Sequence, residues 1–141
     1  MGTDLAPPFV ARDEATAWLF SLNRFGIRPG LERVERLLAD LNHPERDLKT
    51  IVTAGTNGKG SVGAMLEAAL IAAGVKTGFY TSPHLIHFAE RFRLNGKQIS
   101  KTKVLELINR VWEVCDEREP PTFFEFVTAM AFVYFAEADA E

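Results

Sequence analysis

An α/β fold, a parallel sheet covered by helices, is the class this sequence predicts, and three observations predict it. Thr50-Ile51-Val52-Thr53-Ala54 is a short run rich in β-branched residues, the composition of a buried parallel strand. Val62 to Ala73 then places Met65, Leu66, Ala69, Leu70 and Ala73 at helical spacing before Gly74, a favourable C′ residue. Lys76-Thr77-Gly78-Phe79-Tyr80-Thr81 supplies a second strand. Strand, helix and strand fit within about 35 residues, which suits a right-handed parallel crossover.

The flanking elements follow in order. Asp13 can cap a first helix over 14–22, and the turn Phe25-Gly26-Ile27-Arg28-Pro29-Gly30 leads to a second, with Leu31, Val34, Leu37, Leu38 and Leu41 on one face. Asn42-His43-Pro44-Glu45-Arg46-Asp47 is a polar loop. After the second strand come Ser82-Pro83-His84-Leu85, at the sheet edge where open α/β folds bind ligands. Phe92 and Leu94 alternate before Asn95-Gly96, the pattern of a short hairpin. Ser100 or Thr102 opens a helix with Val104, Leu107, Ile108 and Val111 inward, and Pro120-Pro121 precedes a last one, apolar on every side, from Thr122 to Phe135.

Composition narrows the function classes. With 141 residues, 47% hydrophobic and 25% charged, the chain has the size of one globular domain with a core. A net charge of −3 with scattered Lys and Arg gives no reason to expect nucleic acid. No apolar run approaches the ~20 residues of a membrane span, and Met1-Gly2-Thr3-Asp4 lacks a basic leader. The cytosol is the expected location. The single cysteine, Cys115, excludes an intramolecular disulfide and reads as a small core or boundary residue.

The chemistry concentrates in Ala54-Gly55-Thr56-Asn57-Gly58-Lys59-Gly60-Ser61, at the predicted turn from strand into helix. Backbone N–H groups at a helix start face an anion with the macrodipole behind them, Lys59 adds a full charge, and the glycines let oxygens approach the chain. Ser61 can reach a magnesium ion on the same phosphates. The match to the general P-loop is imperfect, because Thr53 stands at the first glycine position and Gly60 directly follows the lysine. A glycine-rich turn that binds nothing is the alternative.

Glu125 has two readings, a carboxylate favoured by the dipole of the first helical turn or one facing a ligand pocket among Phe123, Phe124 and Phe126. His84 and His87 are three apart, without a cysteine or third ligand to complete a zinc site.

Gly55 to Ser61, Thr81-Ser82-Pro83-His84-Leu85, Glu90-Arg91 with Asn95-Gly96, Thr122-Phe123-Phe124-Glu125, and Phe25 to Arg33 together resemble the folylpolyglutamate synthase and dihydrofolate synthase family of the Mur ligase superfamily. The resemblance runs from about residue 15 to residue 135. It implies a three-layer, P-loop-containing ATPase domain with a parallel sheet and an ATP-dependent ligase. A carboxylate of folate or dihydropteroate would attack the γ-phosphate of ATP, and L-glutamate would displace phosphate from the acyl phosphate. The resemblance assigns Thr56, Asn57, Gly58, Lys59, Gly60 and Ser61 to ATP, with Lys59 catalytic, and Ser82 with Ser61 to Mg2+. It assigns Gly26, Ile27, Arg28, Pro29, Thr122, Phe123, Phe124 and Glu125 to the pterin-bearing substrate. A mobile loop from His84 to Gln98 is implied over that substrate, and the full-length enzyme is expected to be a monomer.

Against that family the chain reads as a truncated, N-terminal part of the ATP-binding domain. A second magnesium-binding glutamate, a later histidine ligand, a carbamylated lysine and the C-terminal glutamate-ligase domain would lie outside it, so residues 1–141 alone are expected to be inactive. The competing expectation is a stand-alone P-loop nucleotide-binding or interaction module without ligase chemistry.

Overall fold

The computed structural model describes residues 8–26, 28–116 and 118–141. Five α-helices, α1 (Arg12–Ser21), α2 (Glu32–Asp40), α3 (Lys59–Ala72), α4 (Lys101–Trp112) and α5 (Phe123–Glu137), accompany three short strands, β1 (Gly78–Tyr80), β2 (Phe92–Leu94) and β3 (Lys97–Gln98). Capping chemistry sets several of these boundaries. Ser100 accepts the Lys103 N–H at 3.1 Å and opens α4. Thr122 and Glu125 form a reciprocal capping box ahead of α5. Gly74, at φ +83°, ends α3 with the Val75 N–H donating to the Leu70 carbonyl. At α1 the N-cap is Ala11, and Asp13 lies inside the first turn, where the dipole favours a carboxylate without a cap bond.

α5 is the centre of the core. Phe126, Val127 and Met130 on it are fully buried against Leu19 of α1 and Leu107, Ile108 and Val111 of α4. Trp18 meets Trp112 edge-on at 4.7 Å and Phe126 at 5.4 Å. The cover is not complete, since Phe124 is 60% exposed at the helix start.

The sheet lies between two helices, as a three-layer α/β fold requires. Alternation along β1 turns Gly78 to α5 and Phe79 to α3. A Cβ on Gly78 would come within 2.6 Å of Phe135, and one on Gly63 of α3 within 2.6 Å of Phe79. Glu67 of α3 pairs with Arg93 of β2 and adds a polar tie to this packing.

The α/β class stands, and the pairing differs from expectation. All ladders among the described residues are antiparallel, in the order β1-β2-β3. The predicted hairpin is present: Leu94 faces Lys97 across Asn95 (φ +48°) and Gly96 (φ +74°), the left-handed pair of a tight turn. Among the described residues no parallel ladder forms, and residues 50–54, predicted as its first strand, pair with nothing, with Ile51 65% and Val52 80% exposed. β-Branched composition suits a buried strand, but a parallel strand also needs an adjacent edge and cover on both faces. β1 instead pairs with β2, which a connection without a crossover helix brings alongside it in the antiparallel sense.

Candidate functional site

The turn into α3 is shaped for an anion. Gly58, the N-cap, sits in the left-handed region at φ +79° and ψ −1°, and Gly55 has φ +143°; a side chain at either would be strained. A Cβ on Gly58 or Gly60 would meet nothing within 4 Å, so Gly58 is required by backbone angle and Gly60 leaves an open approach; neither is set by crowding. The first bond into the helix runs from the Val62 N–H to the Gly58 carbonyl. The N–H groups of Lys59, Gly60 and Ser61 precede it and face outward at the positive end of the dipole. Lys59 folds back over the loop, its Nζ donating to the carbonyls of Gly55 and Thr56. Thr56, Asn57, Lys59 and Ser61 are all exposed. The residues present therefore fit a phosphate-type anion, with the Ser61 hydroxyl beside it.

A second cluster forms across the chain. Arg33 of α2 donates from Nη2 to Glu125 Oε1 at 2.9 Å and to the Arg28 carbonyl at 3.0 Å. One guanidinium thus brings the predicted segments 26–29 and 122–125 together; Ile27 lies outside the described residues. Glu125 Oε2 also accepts the Thr122 N–H at 2.7 Å. Burial raises the Glu125 carboxyl, but the Thr122 N–H and Arg33 outweigh it and hold it below its ordinary range. Glu125 is therefore both the capping carboxylate and half of a mostly buried ion pair. Gly26, Arg28 and Pro29 are exposed beside it.

The two phenylalanines at the start of α5 differ. Phe123 stacks on Phe20 with centroids 5.5 Å apart and planes at 16°, and the Arg91 guanidinium lies 5.2 Å from its centroid. Phe124 keeps a solvent-exposed ring face.

Ser82 is exposed two residues past β1. Beyond it, His84 and residues 86–89 form one wall of an open groove of about 510 Å³, with Phe20 of α1 and Lys101 of α4 on the others. His84 Nδ1 accepts from Arg91 Nε at 2.9 Å, and burial with the Arg91 charge lowers its pKa. No group of three metal-binding side chains occurs among the described residues. Cys115 is half-buried, its thiol pushed up to about 12 by burial and donating to the Val111 carbonyl at 3.3 Å, as a boundary residue would be. Among the described residues no helix is long and apolar enough to cross a membrane.

Sequence reasoning quoted Arg33 and Arg91 in motifs but gave them no role. Each works on a partner far off or on a loop whose path the sequence does not show. The signal available was the lone early carboxylate of α5, which called for a cation.

No family model matches the chain. Relatives and solved structures do. The dihydrofolate synthase/folylpolyglutamate synthase of Bacillus subtilis is 42% identical over 134 residues, covering 92% of this chain and 31% of that protein. The folylpolyglutamate synthase of Thermotoga maritima superposes with a TM-score of 0.83 at 41% identity, over 92% of this chain and 31% of its own. A bifunctional folylpolyglutamate synthase/dihydrofolate synthase solved with Mn, AMPPNP and L-glutamate bound gives a TM-score of 0.80 at 33% identity, over 99% of this chain and 33% of its own. The chain thus spans about a third of the length of these proteins. On identity, coverage and fold together, it belongs to the folylpolyglutamate synthase/dihydrofolate synthase family of Mur-type ligases.

Proposed function

We propose that this chain supplies the nucleotide cradle and part of the substrate face of an ATP-dependent ligase that joins L-glutamate to folate or dihydropteroate. The observation that carries the reading is the turn into α3, where Gly58 in the left-handed region opens the helix with three backbone N–H groups ahead of its first bond and Lys59 folds over the same loop. The neighbour solved with Mn, AMPPNP and L-glutamate supports it, since AMPPNP is an analogue of ATP.

The reaction balances in two displacements. A substrate carboxylate oxygen attacks the γ-phosphorus and ADP leaves; the glutamate amine then attacks the acyl carbon, phosphate leaves, and the amine gives up a proton. The chain's part is positioning and charge neutralisation, which is most of what phosphoryl transfer needs. Thr56 to Ser61 hold the phosphates, with Lys59 exchanging its two carbonyl partners for phosphate oxygens. Ser61 and Ser82 would supply hydroxyls to Mg2+, which when bound neutralises charge on the transferred phosphoryl group. Phe124 offers its exposed ring to the pterin, within a frame set by Arg33, Glu125 and segment 26–29. Phe123 lines that frame from behind rather than offering a free face.

Lys59→Ala in the intact enzyme tests this. ADP release that depends on both the pteroyl substrate and L-glutamate is expected to fall by about 10²-fold or more, the scale of one lost charge-stabilising donor, with the circular dichroism unchanged. Release within a few-fold of wild type would contradict the reading.

A further inference from the structure

Glu90 and Arg91 are neighbours in sequence that grip one loop in two ways. The Glu90 carboxylate accepts three successive backbone N–H groups, Leu85 at 2.7 Å, Ile86 at 3.0 Å and His87 at 2.7 Å. Arg91 takes the side chain, donating from Nε to His84 Nδ1 at 2.9 Å. The same guanidinium lies over Phe123 at 5.2 Å and Phe88 at 5.9 Å. It therefore touches both the loop that follows Ser82 and the first residue of α5.

Arg91 is 6% exposed and has no ion pair among the described residues. A desolvated guanidinium without a carboxylate is a poor device for stability, since an apolar side chain of similar length would fill the space at less cost. Its contacts are directional, a cation–π contact on one element and a hydrogen bond to another, and arginine makes both at once. The arrangement joins two segments that the proposed reaction uses separately.

We propose that Arg91 is a positioning residue that couples the Ser82–His87 loop to the start of α5, so that occupancy of the substrate face and occupancy of the magnesium site favour each other. The proposal rests on the ligase reading for its two ligands. Glu90 is its accessory, stiffening the loop so that a shift of Arg91 at Phe123 is felt at Ser82. Two sites that bias one rigid unit share a coupling free energy, and the coupling is reciprocal.

The test uses the intact protein and two readouts. The first is the magnesium concentration for half-maximal ADP binding, measured with and without dihydropteroate. In wild type dihydropteroate is expected to lower it about fivefold or more, the low end of ordinary coupling, and in Arg91→Met by less than about twofold. An equal ratio in the two proteins, or no effect in wild type, overturns the proposal. The second readout is amide exchange at Leu85, Ile86 and His87 without any ligand, expected to quicken about tenfold in Arg91→Met and in Glu90→Gln as the loop opens locally. Unchanged exchange in Arg91→Met overturns the proposal whatever the protein ligates, whereas failure to bind dihydropteroate at all overturns the ligase reading and leaves the exchange result to decide this one. If Arg91→Met does not fold, Arg91→Lys serves, because it keeps the charge but loses the Nε bond and the guanidinium plane. Wild-type exchange in Arg91→Lys would contradict the geometry.

Discussion

Arg33 and Glu125 show how much one pair can settle. Their side chains are 13% and 9% exposed and 2.9 Å apart, so each compensates the other for leaving water, with the Thr122 N–H contributing more at the carboxylate. The folded carboxyl is held below its ordinary value of 4.5. As pH falls the unfolded state protonates first, so the pair's contribution is full above about 4.5 and is lost as pH drops through the folded pKa. Glu125→Gln is expected to cost about 1–3 kcal/mol at neutral pH, the scale of a lost charged hydrogen bond. It should also flatten the rise of the urea midpoint with pH below about 4.5. A midpoint as steep in pH as wild type's would show that other carboxylates carry the acid limb. The capping half of Glu125 was legible in the sequence, because Thr122 and Glu125 stand at capping-box spacing. The Arg33 half was not, since 92 residues separate the two and no local rule reaches that far.

Elements were readable where their chemistry is local and misread where it is not. The α3, α4 and α5 starts, the Gly74 stop and the Asn95-Gly96 turn are each fixed by a few adjacent residues. The run at 50–54 carries strand composition, yet pairing is decided by which edge is beside it. Layering also leaves a mark at glycines the sequence could not explain. Gly78 sits where α5 lies on the sheet, and an added Cβ would be 2.6 Å from Phe135. Gly78→Ala is expected to destabilise by about 1–3 kcal/mol, the usual scale of overpacking, read as a lower urea midpoint with an unchanged slope. Gly58→Ala meets no atom, so its cost should come from backbone strain and appear chiefly as lost nucleotide binding. Equal stability of wild type and Gly78→Ala would mean the sheet and α5 are looser than drawn.

At the scale of the whole molecule, apolar surface remains on the α3 side of the sheet. Ile51, Val52, Val62, Met65 and Leu66 are 65%, 80%, 49%, 66% and 37% exposed. α5, apolar on every side in the sequence, is mostly covered, and α3 carries the exposure instead. Residues 1–141 taken alone are therefore expected to self-associate as concentration rises, since apolar patches beyond a few hundred Å² are unusual on monomers. Light scattering across a concentration series checks this, and concentration-independent monomer mass would contradict it. The same material is expected to bind nucleotide without ligating, because a cradle alone does not orient the second and third substrates. For the intact enzyme the central claim is that the carboxylate is activated by phosphorylation. Labelling the reacting carboxylate of the pteroyl substrate with oxygen-18 and analysing the phosphate released during glutamate addition tests it. One labelled oxygen per ligation should appear in the phosphate, because the carboxylate oxygen that attacks phosphorus leaves with it. Phosphate free of label, with amide formed, would contradict the account.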